Sequence, residues 1–436
     1  MLIYVPFIYF TCLCIYFVWK HGRIEATAWM SFLYAVSAFA SIHVFHEDLI
    51  GIEYGTQLKE VGIVPTVLYC GLLTLSFWPF HAYHSERIKR IEPPKKWLFY
   101  TLSGLFVFTF FATLVCYYPE LRDVLTTDSL KEVRDVVYKD KEGVEVHGWR
   151  YAMAMPETFF SALGMLAIPF FFYSLCFMDN KWWFNVLLLV ASMTAIMKSM
   201  LIAGRTQIIY WIFVMGACYF FFNQFMKPRV RLVIQILFFG FGSVVAVFFV
   251  AVTASRYQEI AEYAYEMLIM YIGQPFVFFC YFWDNFQSDM ISFQRLFPFT
   301  HQFILGVDMD LDLYRSKVYA QSGLFIGVFF TFLGDLLIDI TRLGMIIYVF
   351  LYHGVVRWFL HREEEEVMPF HHILLWLLFI LVPLEGLFYY SFHTVRMGYY
   401  VIETVVLVIL FRYRIKLWNK KEENKEENDK HHHTLL

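Results

Sequence analysis

Long apolar runs recur along the whole chain, and they constrain its fold more than any other feature of the sequence. A helix of about 20 apolar residues crosses the hydrocarbon core of a bilayer, which is roughly 30 Å thick. Inside that core the backbone must satisfy its own hydrogen bonds, which leaves only helices and closed β-barrels. Barrel strands are short and alternate between apolar and polar residues. The runs here are long and do not alternate, so the sequence predicts an all-α, polytopic integral membrane protein.

The composition agrees with this prediction. Of the 436 residues, 59% are apolar and only 17% are charged, and the chain carries 50 Phe and 29 Tyr. About a quarter of the residues of a soluble domain are charged. The lipid bilayer is therefore the expected partner. A net charge of −3 argues against nucleic acid as a partner, because there is no basic surplus to meet phosphate. The seven cysteines lie in apolar runs without Cys-x-x-Cys spacing, so we expect neither a disulfide framework nor a metal site. No cofactor is expected either.

Hydropathy predicts about eleven transmembrane helices within one membrane-embedded domain over 1–417, followed by a disordered, charged tail over 418–436. The predicted spans cover 2–19, 26–46, 61–80, 97–118, 152–177, 183–202, 206–225, 232–253, 342–360, 371–391 and 397–412. Two further apolar segments, 260–283 and 321–338, are interrupted by charges or by Gly and Pro. We expect half-helices or interfacial helices there.

The distribution of basic residues predicts the orientation of these spans. Lys and Arg concentrate in alternate connections, between spans one and two, three and four, and seven and eight, and after the last span. Cytoplasmic loops carry such an excess. The N-terminus is therefore predicted outside and the C-terminus in the cytoplasm. This orientation places two large loops outside the cytoplasm, over 119–150 and 254–320, and the second is rich in aromatic residues.

Several charged residues occur where a membrane protein rarely tolerates them, at the predicted extracytoplasmic ends of spans or in the adjacent loop. They are Arg205, Arg256, Arg295, His301, Asp335, Asp339, Arg342, Glu385, His393 and Arg396. Helical spacing predicts that Asp335, Asp339 and Arg342 share one face, where Asp339 and Arg342 are also suited to a simple ion pair. Arginines at span ends are often only snorkelling. Their common location nevertheless points to one outward-facing site, and guanidinium groups suit a phosphate-bearing ligand.

Three segments, taken in order along the chain, resemble a known family. They are GRTQ at 204–207, RLFPFTHQFILG from Arg295 to Gly306, and the stretch over 318–354. Together with the predicted topology, they resemble the oligosaccharide repeat-unit (O-antigen, Wzy-type) polymerases of bacterial inner membranes. The Asp-Phe-Gly of that family is replaced here by Asp339-Ile-Thr, and a glycine follows only at Gly344.

The resemblance implies a metal-independent glycosyltransferase at the periplasmic face of the inner membrane. Such an enzyme moves a growing glycan from undecaprenyl diphosphate onto the terminal sugar of another lipid-linked repeat unit, and a chain-length regulator is a conceivable partner. Two alternatives stay open. An O-antigen ligase uses the same donor with a different acceptor, and a flippase or transporter would move a lipid-linked glycan without chemistry.

The resemblance also implies roles for the candidate residues. The general base of an inverting transfer is predicted to be His301 first, then Asp339, then His393. The diphosphate is expected to bind Arg205, Arg256 and Arg295, with Arg342 and Arg396 as further substrate ligands. Aromatic residues of the second loop, chiefly Trp283 and Phe299, are expected to pack on sugar faces, with an interfacial aromatic belt as the alternative.

Overall fold

The computed structural model describes residues 1–54, 60–84, 87–126, 159–201, 206–238, 240, 243, 261–286, 292–307, 311–360 and 366–412. Helices account for most of this part of the chain. They are α1 (Val5–His21), α2 (Ala26–His46), α3 (Leu49–Tyr54), α4 (Ile63–Phe77), α5 (Lys96–Thr126), α6 (Ala167–Phe177), α7 (Trp182–Ala191), α8 (Thr194–Leu201), α9 (Thr206–Phe222), α10 (Ala261–Asn285), α11 (Pro298–Phe303), α12 (Leu311–Ser322), α13 (Thr331–Leu360), α14 (Phe370–Glu385) and α15 (Val395–Arg412). Short 3-10 helices cover Leu2–Tyr4, Trp78–Ala82, Ser161–Leu166 and Asn223–Phe225, and a further helix covers 228–238.

Within this part of the chain, eight helices are long and apolar enough to cross a membrane. They are Leu2–His21, Ala26–His46, Ile63–Ala82, Lys96–Arg122, Trp182–Leu201, Thr206–Phe225, Tyr265–Asn285 and Thr331–Leu360. Two shorter apolar helices, Ser161–Phe177 and Phe370–Glu385, fall on two more predicted spans. The prediction of an all-α, multi-pass membrane protein is confirmed. The predicted tail over 418–436 and most of the loop over 119–150 lie outside the described residues.

The segment over 260–283 differs from its prediction. Its described residues, 261–283, form part of one continuous helix, α10, and do not divide into half-helices. Gly273 lets α10 approach α2 closely, because a Cβ there would lie 2.5 Å from the Ala40 carbonyl carbon. The hydroxyls of Ser37 and Ser41 donate to the carbonyl oxygens of Ile272 and Gly273, at 2.7 and 2.5 Å. These bonds lie beside Pro275, and such side-chain donors make a proline tolerable within an apolar helix.

Part of the loop predicted over 254–320 is helical in the region that the structure describes. Its aromatic residues from 261 to Trp283 belong to α10. After α10, the described chain forms a turn over 292–297, the short helix α11, and then α12. Arg295, Phe299 and His301 lie outside the long helices.

One end of the bundle carries basic connections. There Arg90–Ile91 pairs in parallel with Val367–Met368, and the Tyr83 hydroxyl donates to the Leu360 carbonyl oxygen at 2.5 Å. We call this the basic end. Helix α13 finishes at it and α14 starts near it. The first residues of α13 and the segment between α14 and α15 therefore lie toward the opposite end.

Helix α13 is two helices joined by a break. Ile340 and Thr341 have non-helical backbone angles, and Thr341 has a φ of 69°. Every residue from Thr331 to Ile340 is buried. After the break, many large apolar side chains are exposed, as expected of a lipid-facing span. The first part is thus a buried half-helix, in keeping with the half-helix predicted over 321–338, although 323–330 is not helical.

Candidate functional site

A buried ion pair joins the turn over 292–297 to the half-helix. The Arg295 guanidinium contacts the Asp335 carboxylate, and the two side chains are only 6% and 1% exposed. The other oxygen of Asp335 accepts the backbone N–H of Tyr390 at 2.6 Å. This carboxylate therefore connects three segments: the turn, the half-helix and the loop between α14 and α15.

Asp339 lies one helical turn after Asp335, and its carboxylate binds backbone N–H groups of the segment over 292–297. Its carboxylate accepts the Ser292 hydroxyl and the N–H groups of Gln294 and Leu296, the latter two at 3.1 and 2.9 Å. Its own carbonyl oxygen accepts the Ser292 N–H at 3.0 Å. Three donors already occupy this carboxylate, and the residue is 1% exposed. The geometry is that of an anchor that fixes Arg295, while a role for Asp339 as general base stays a prediction.

The prediction that Asp335, Asp339 and Arg342 share one helix face is wrong for Arg342. The break at Ile340 and Thr341 removes the helical spacing on which that expectation depends. The Arg342 guanidinium instead donates to the carbonyl oxygens of Trp283 and Phe286 and lies 5.2 Å from the Trp283 ring centre. A cation at the carbonyl end of a helix complements its dipole. Arg342 thus caps α10.

Strained backbone flanks the half-helix on both sides. Thr331 and Thr341 have φ values of 64° and 69°, a region that β-branched residues rarely adopt. Such strain persists only where the surrounding structure imposes it, and it concentrates at functional sites.

We expect Thr341→Gly to raise the free energy of unfolding by about 1 kcal/mol, because glycine adopts this backbone conformation without a steric cost. The measurement is the midpoint of thermal unfolding in detergent. Thr109→Gly is the matched control. Thr109 lies within helix α5, so glycine there should lower the midpoint. A lower midpoint for Thr341→Gly would contradict the proposed strain.

His393 lies close to two arginines. Its Nδ1–H donates to the Tyr390 carbonyl oxygen, which leaves Nε2 as the acceptor nitrogen. Its ring centre is 5.6 Å from that of Tyr389. Burial, together with the cations of Arg295 and Arg315, lowers the pKa of His393 from 6.5 to about 4. The imidazole is therefore neutral at neutral pH.

Arg295 is held by more than its carboxylate partner. Its guanidinium carbon lies 6.0 Å from the Tyr314 ring centre and 5.8 Å from that of Phe330. Burial opposes its charge, yet the Asp335 carboxylate raises the pKa of Arg295 above its ordinary value. Its Nε–H is buried and has no hydrogen-bond partner among the described residues. One donor of this guanidinium thus stays available to a bound anion.

Arg315 and Tyr314 are site residues that the sequence did not reveal. Both lie on α12, and Arg315 acts electrostatically on His393 and Tyr389. Burial and the Asp339 carboxylate raise the pKa of Tyr314. The only available signal was a tyrosine and an arginine that follow two acidic residues in DLDLYRSK, a pattern that resembles any solvated helix.

The remaining predicted residues occupy other places. His301 and Phe299 are on α11, where the Phe299 ring packs 5.2 Å from Tyr399. No hydrogen bond or ion pair within the described chain joins His301 to Arg295, although its Nδ1 is buried there without a partner. Phe299 and Trp283 thus pack in two separate places, against α15 and against Arg342 respectively.

The Arg396 guanidinium interacts with other groups of the protein. Its guanidinium donates to the Ser161 carbonyl oxygen at 2.9 Å, and it acts electrostatically on Glu385 and Glu403. This arrangement favours a structural tie between α15 and the helix before α6. Arg205 and Arg256 lie outside the described residues.

Gly306, the last residue of the segment that begins at Arg295, has a clear physical role. Its φ is 64°, and the N–H of the following Val307 donates to the His301 carbonyl oxygen at 3.0 Å. A glycine in the left-handed conformation commonly ends a helix in this way. The glycine therefore terminates α11.

Across the described part of the chain, no group of three or more His, Cys, Asp or Glu side chains is arranged to hold a metal ion. No family model, curated protein or solved structure matches the chain.

Proposed function

We propose that this protein is a membrane glycosyltransferase that polymerises oligosaccharide repeat units carried on undecaprenyl diphosphate. The observation that carries the proposal is the position of His393. Its Nδ1–H donates to the carbonyl oxygen of Tyr390, and the N–H of Tyr390 donates to the Asp335 carboxylate that binds Arg295. A transfer of this kind needs two things at one place: a cation set for the leaving diphosphate and a base for the attacking hydroxyl.

The reaction assigns each group a task. The hydroxyl of the acceptor sugar attacks the anomeric carbon of the donor while the bond from that carbon to the diphosphate oxygen breaks. His393 Nε2 takes the hydroxyl proton. The diphosphate leaves with its negative charge more fully developed, and this charge faces Arg315 and the unpartnered Nε–H of Arg295. Arginine is suited to this task because its fork binds phosphate oxygens and keeps its charge.

The placement of the site supports the orientation that the proposal requires. Arg295, His393 and the half-helix lie toward the end of the bundle opposite the basic end. With basic loops in the cytoplasm, the site faces the periplasm of a bacterial inner membrane. About eleven spans, with the N-terminus periplasmic and the C-terminus cytoplasmic, are part of the same proposal, and continuous α10 is one candidate for a span.

A transporter is the second candidate, and one observation favours it. Glu385 is 2% exposed inside the bundle, and its Oε1 has no hydrogen-bond partner among the described residues. Buried acids of this kind often mark ion or proton pathways in membrane proteins. A ligase is not separated from a polymerase by geometry, because the two share the donor and differ in the acceptor.

Mass analysis of lipid-linked glycans in a strain lacking the protein tests these alternatives. A polymerase predicts accumulation of single-repeat glycolipid. Full-length lipid-linked polymer left unattached would indicate a ligase, and precursor retained on the cytoplasmic face would indicate a flippase. Either of the last two results would overturn the proposal.

The same strain tests the site through complementation. Arg315→Ala should restore polymer at a rate reduced about ten- to a hundredfold, the loss expected for one charge-assisted contact of about 1.5–3 kcal/mol. Arg357→Ala is the matched control, because Arg357 is an exposed arginine of α13 near the basic end. Full rescue by both variants would remove Arg315 from the site.

A further inference from the structure

Four side chains form a second polar cluster, at the basic end. Lys20 and His21 end α1, and His81 and His84 come after α4. The Lys20 ammonium lies 2.9 Å from His81 Nε2, and His81 Nδ1 lies 3.2 Å from His21 Nε2. The rings of His21 and His84 stack with their centres 4.7 Å apart. We call these four residues the histidine cluster.

The chemistry of the groups determines the direction of each hydrogen bond. An ammonium can only donate, so His81 Nε2 accepts from Lys20. The proton of a neutral His81 is then on Nδ1, which donates to His21 Nε2. His21 in turn carries its proton on Nδ1. The bonds thus run in one direction from Lys20 to His21.

This directed chain ends in a donor without an acceptor. His21 is 6% exposed, and its Nδ1 is buried with no hydrogen-bond partner among the described residues. A buried N–H of this kind destabilises the folded protein unless an acceptor satisfies it. The Lys20 ammonium also has two further N–H donors. The cluster therefore offers positive charge and N–H donors, which are the complement of an anion.

The surroundings of the cluster are typical of the membrane interface. Trp19 and Trp78 are 80% and 40% exposed, and the Lys20 ammonium lies 5.8 Å from the ring centre of the exposed Tyr16. Exposed Trp and Tyr concentrate at the level of the lipid headgroups. The polar groups of the cluster thus lie at the depth at which the phosphates of a bilayer leaflet are found.

We propose that the histidine cluster binds the phosphate of an anionic lipid headgroup in the leaflet at the basic end. Lys20 supplies the charge and two further N–H donors, and the His21 Nδ1–H supplies a directed donor. Trp19 and Trp78 contact the lipid next to its headgroup. This site is separate from the one that contains Arg295, and it does not depend on the proposed transferase activity.

The test measures binding by thermal unfolding of the purified full chain in detergent, since a ligand that binds only the folded state raises the midpoint. The probes are dioctanoyl phosphatidylglycerol, dioctanoyl phosphatidylcholine and inorganic phosphate. Phosphatidylglycerol should raise the midpoint at concentrations at which phosphatidylcholine does not. In Lys20→Gln and in Lys20→Gln/His81→Gln, its apparent affinity should fall about ten- to a hundredfold.

Lys20→Gln keeps the experiment independent of folding, because Lys20 is exposed and its loss should leave the lipid-free midpoint unchanged. His46→Gln is the matched control. His46 hydrogen-bonds Tyr4 at 2.9 Å near the other end of α1 and α2, and its variant should bind phosphatidylglycerol like the wild type. Wild-type affinity in Lys20→Gln, equal binding of phosphatidylcholine, or full saturation of the effect by inorganic phosphate alone would each overturn the proposal.

Discussion

His393→Gln is expected to lower the rate of glycan transfer by about 10²–10⁴-fold, the usual contribution of a general base. Glutamine has nearly the same size and can keep the hydrogen bond to the Tyr390 carbonyl oxygen, but it cannot accept a proton. The measurement is polymer formed from a lipid-linked repeat unit by purified protein in detergent. Equal unfolding midpoints for wild type and variant would show that the loss is chemical.

The pH profile gives an independent readout of the same residue. The pKa of His393 is lowered to about 4, so the imidazole is neutral throughout the neutral range. The rate should be flat there and fall about tenfold per pH unit only below about pH 4. The free energy of unfolding changes with pH in the same direction as the rate. The histidine of the unfolded chain takes up a proton near pH 6.5, whereas the folded protein binds that proton only near pH 4. Its contribution is full above pH 6.5 and is lost as the pH falls toward 4.

His301→Gln is the matched comparison for this prediction. The sequence favours His301 as the base, whereas the structure places it on α11 with no hydrogen bond or ion pair to Arg295 among the described residues. We therefore expect His301→Gln to keep most of the activity. Full activity of His393→Gln together with inactivity of His301→Gln would reverse the assignment.

Breaking the buried ion pair should produce the largest loss of stability. Arg295→Met leaves the Asp335 carboxylate buried without its cation, and Asp335→Leu leaves the guanidinium without its anion. Removing one partner of such a pair costs about 3–5 kcal/mol. Each single variant should therefore have a much lower midpoint of thermal unfolding than the wild type, and neither should form polymer.

The double variant separates stability from function. Arg295→Met with Asp335→Leu leaves no charge at either position of the pair, so most of the stability should return. Activity should stay absent, because no guanidinium remains in the turn. Arg23→Gln is the control. The Arg23 side chain is exposed, and its Nε lies 3.8 Å from Glu25 Oε1. Loss of this ion pair should lower the free energy of unfolding by less than about 1 kcal/mol. A double variant as unstable as the single ones would contradict this account of the pair.

The helical membrane fold could be read from the sequence because hydropathy is a local property. The composition of each apolar run determines the free energy of its transfer into lipid, whatever segments precede or follow it in the chain. The same local reasoning failed for α10, where Gly273 and Pro275 suggested an interruption. There the close approach of α2 and its two serines supply the compensation, and both come from a distant part of the chain.

The candidate site was predicted only in part. Charged residues in an apolar context pointed to Arg295, Asp335 and His393, because their burial has to be compensated somewhere. Which group compensates which was not predictable, because Arg295 and Asp335 are far apart in the chain and meet through tertiary packing. Arg315 was missed because it lies in an ordinary polar segment and becomes notable only beside His393.

The sequence by itself determined that this chain folds as apolar helices in a bilayer, since burying backbone and side chains in lipid depends on composition over about twenty consecutive residues. The tertiary structure alone decided the break at Thr341, the cap that Arg342 makes on α10, and the anchoring of the turn by Asp339. These features depend on hydrogen bonds between residues far apart in the chain, and such partners are selected by packing in three dimensions.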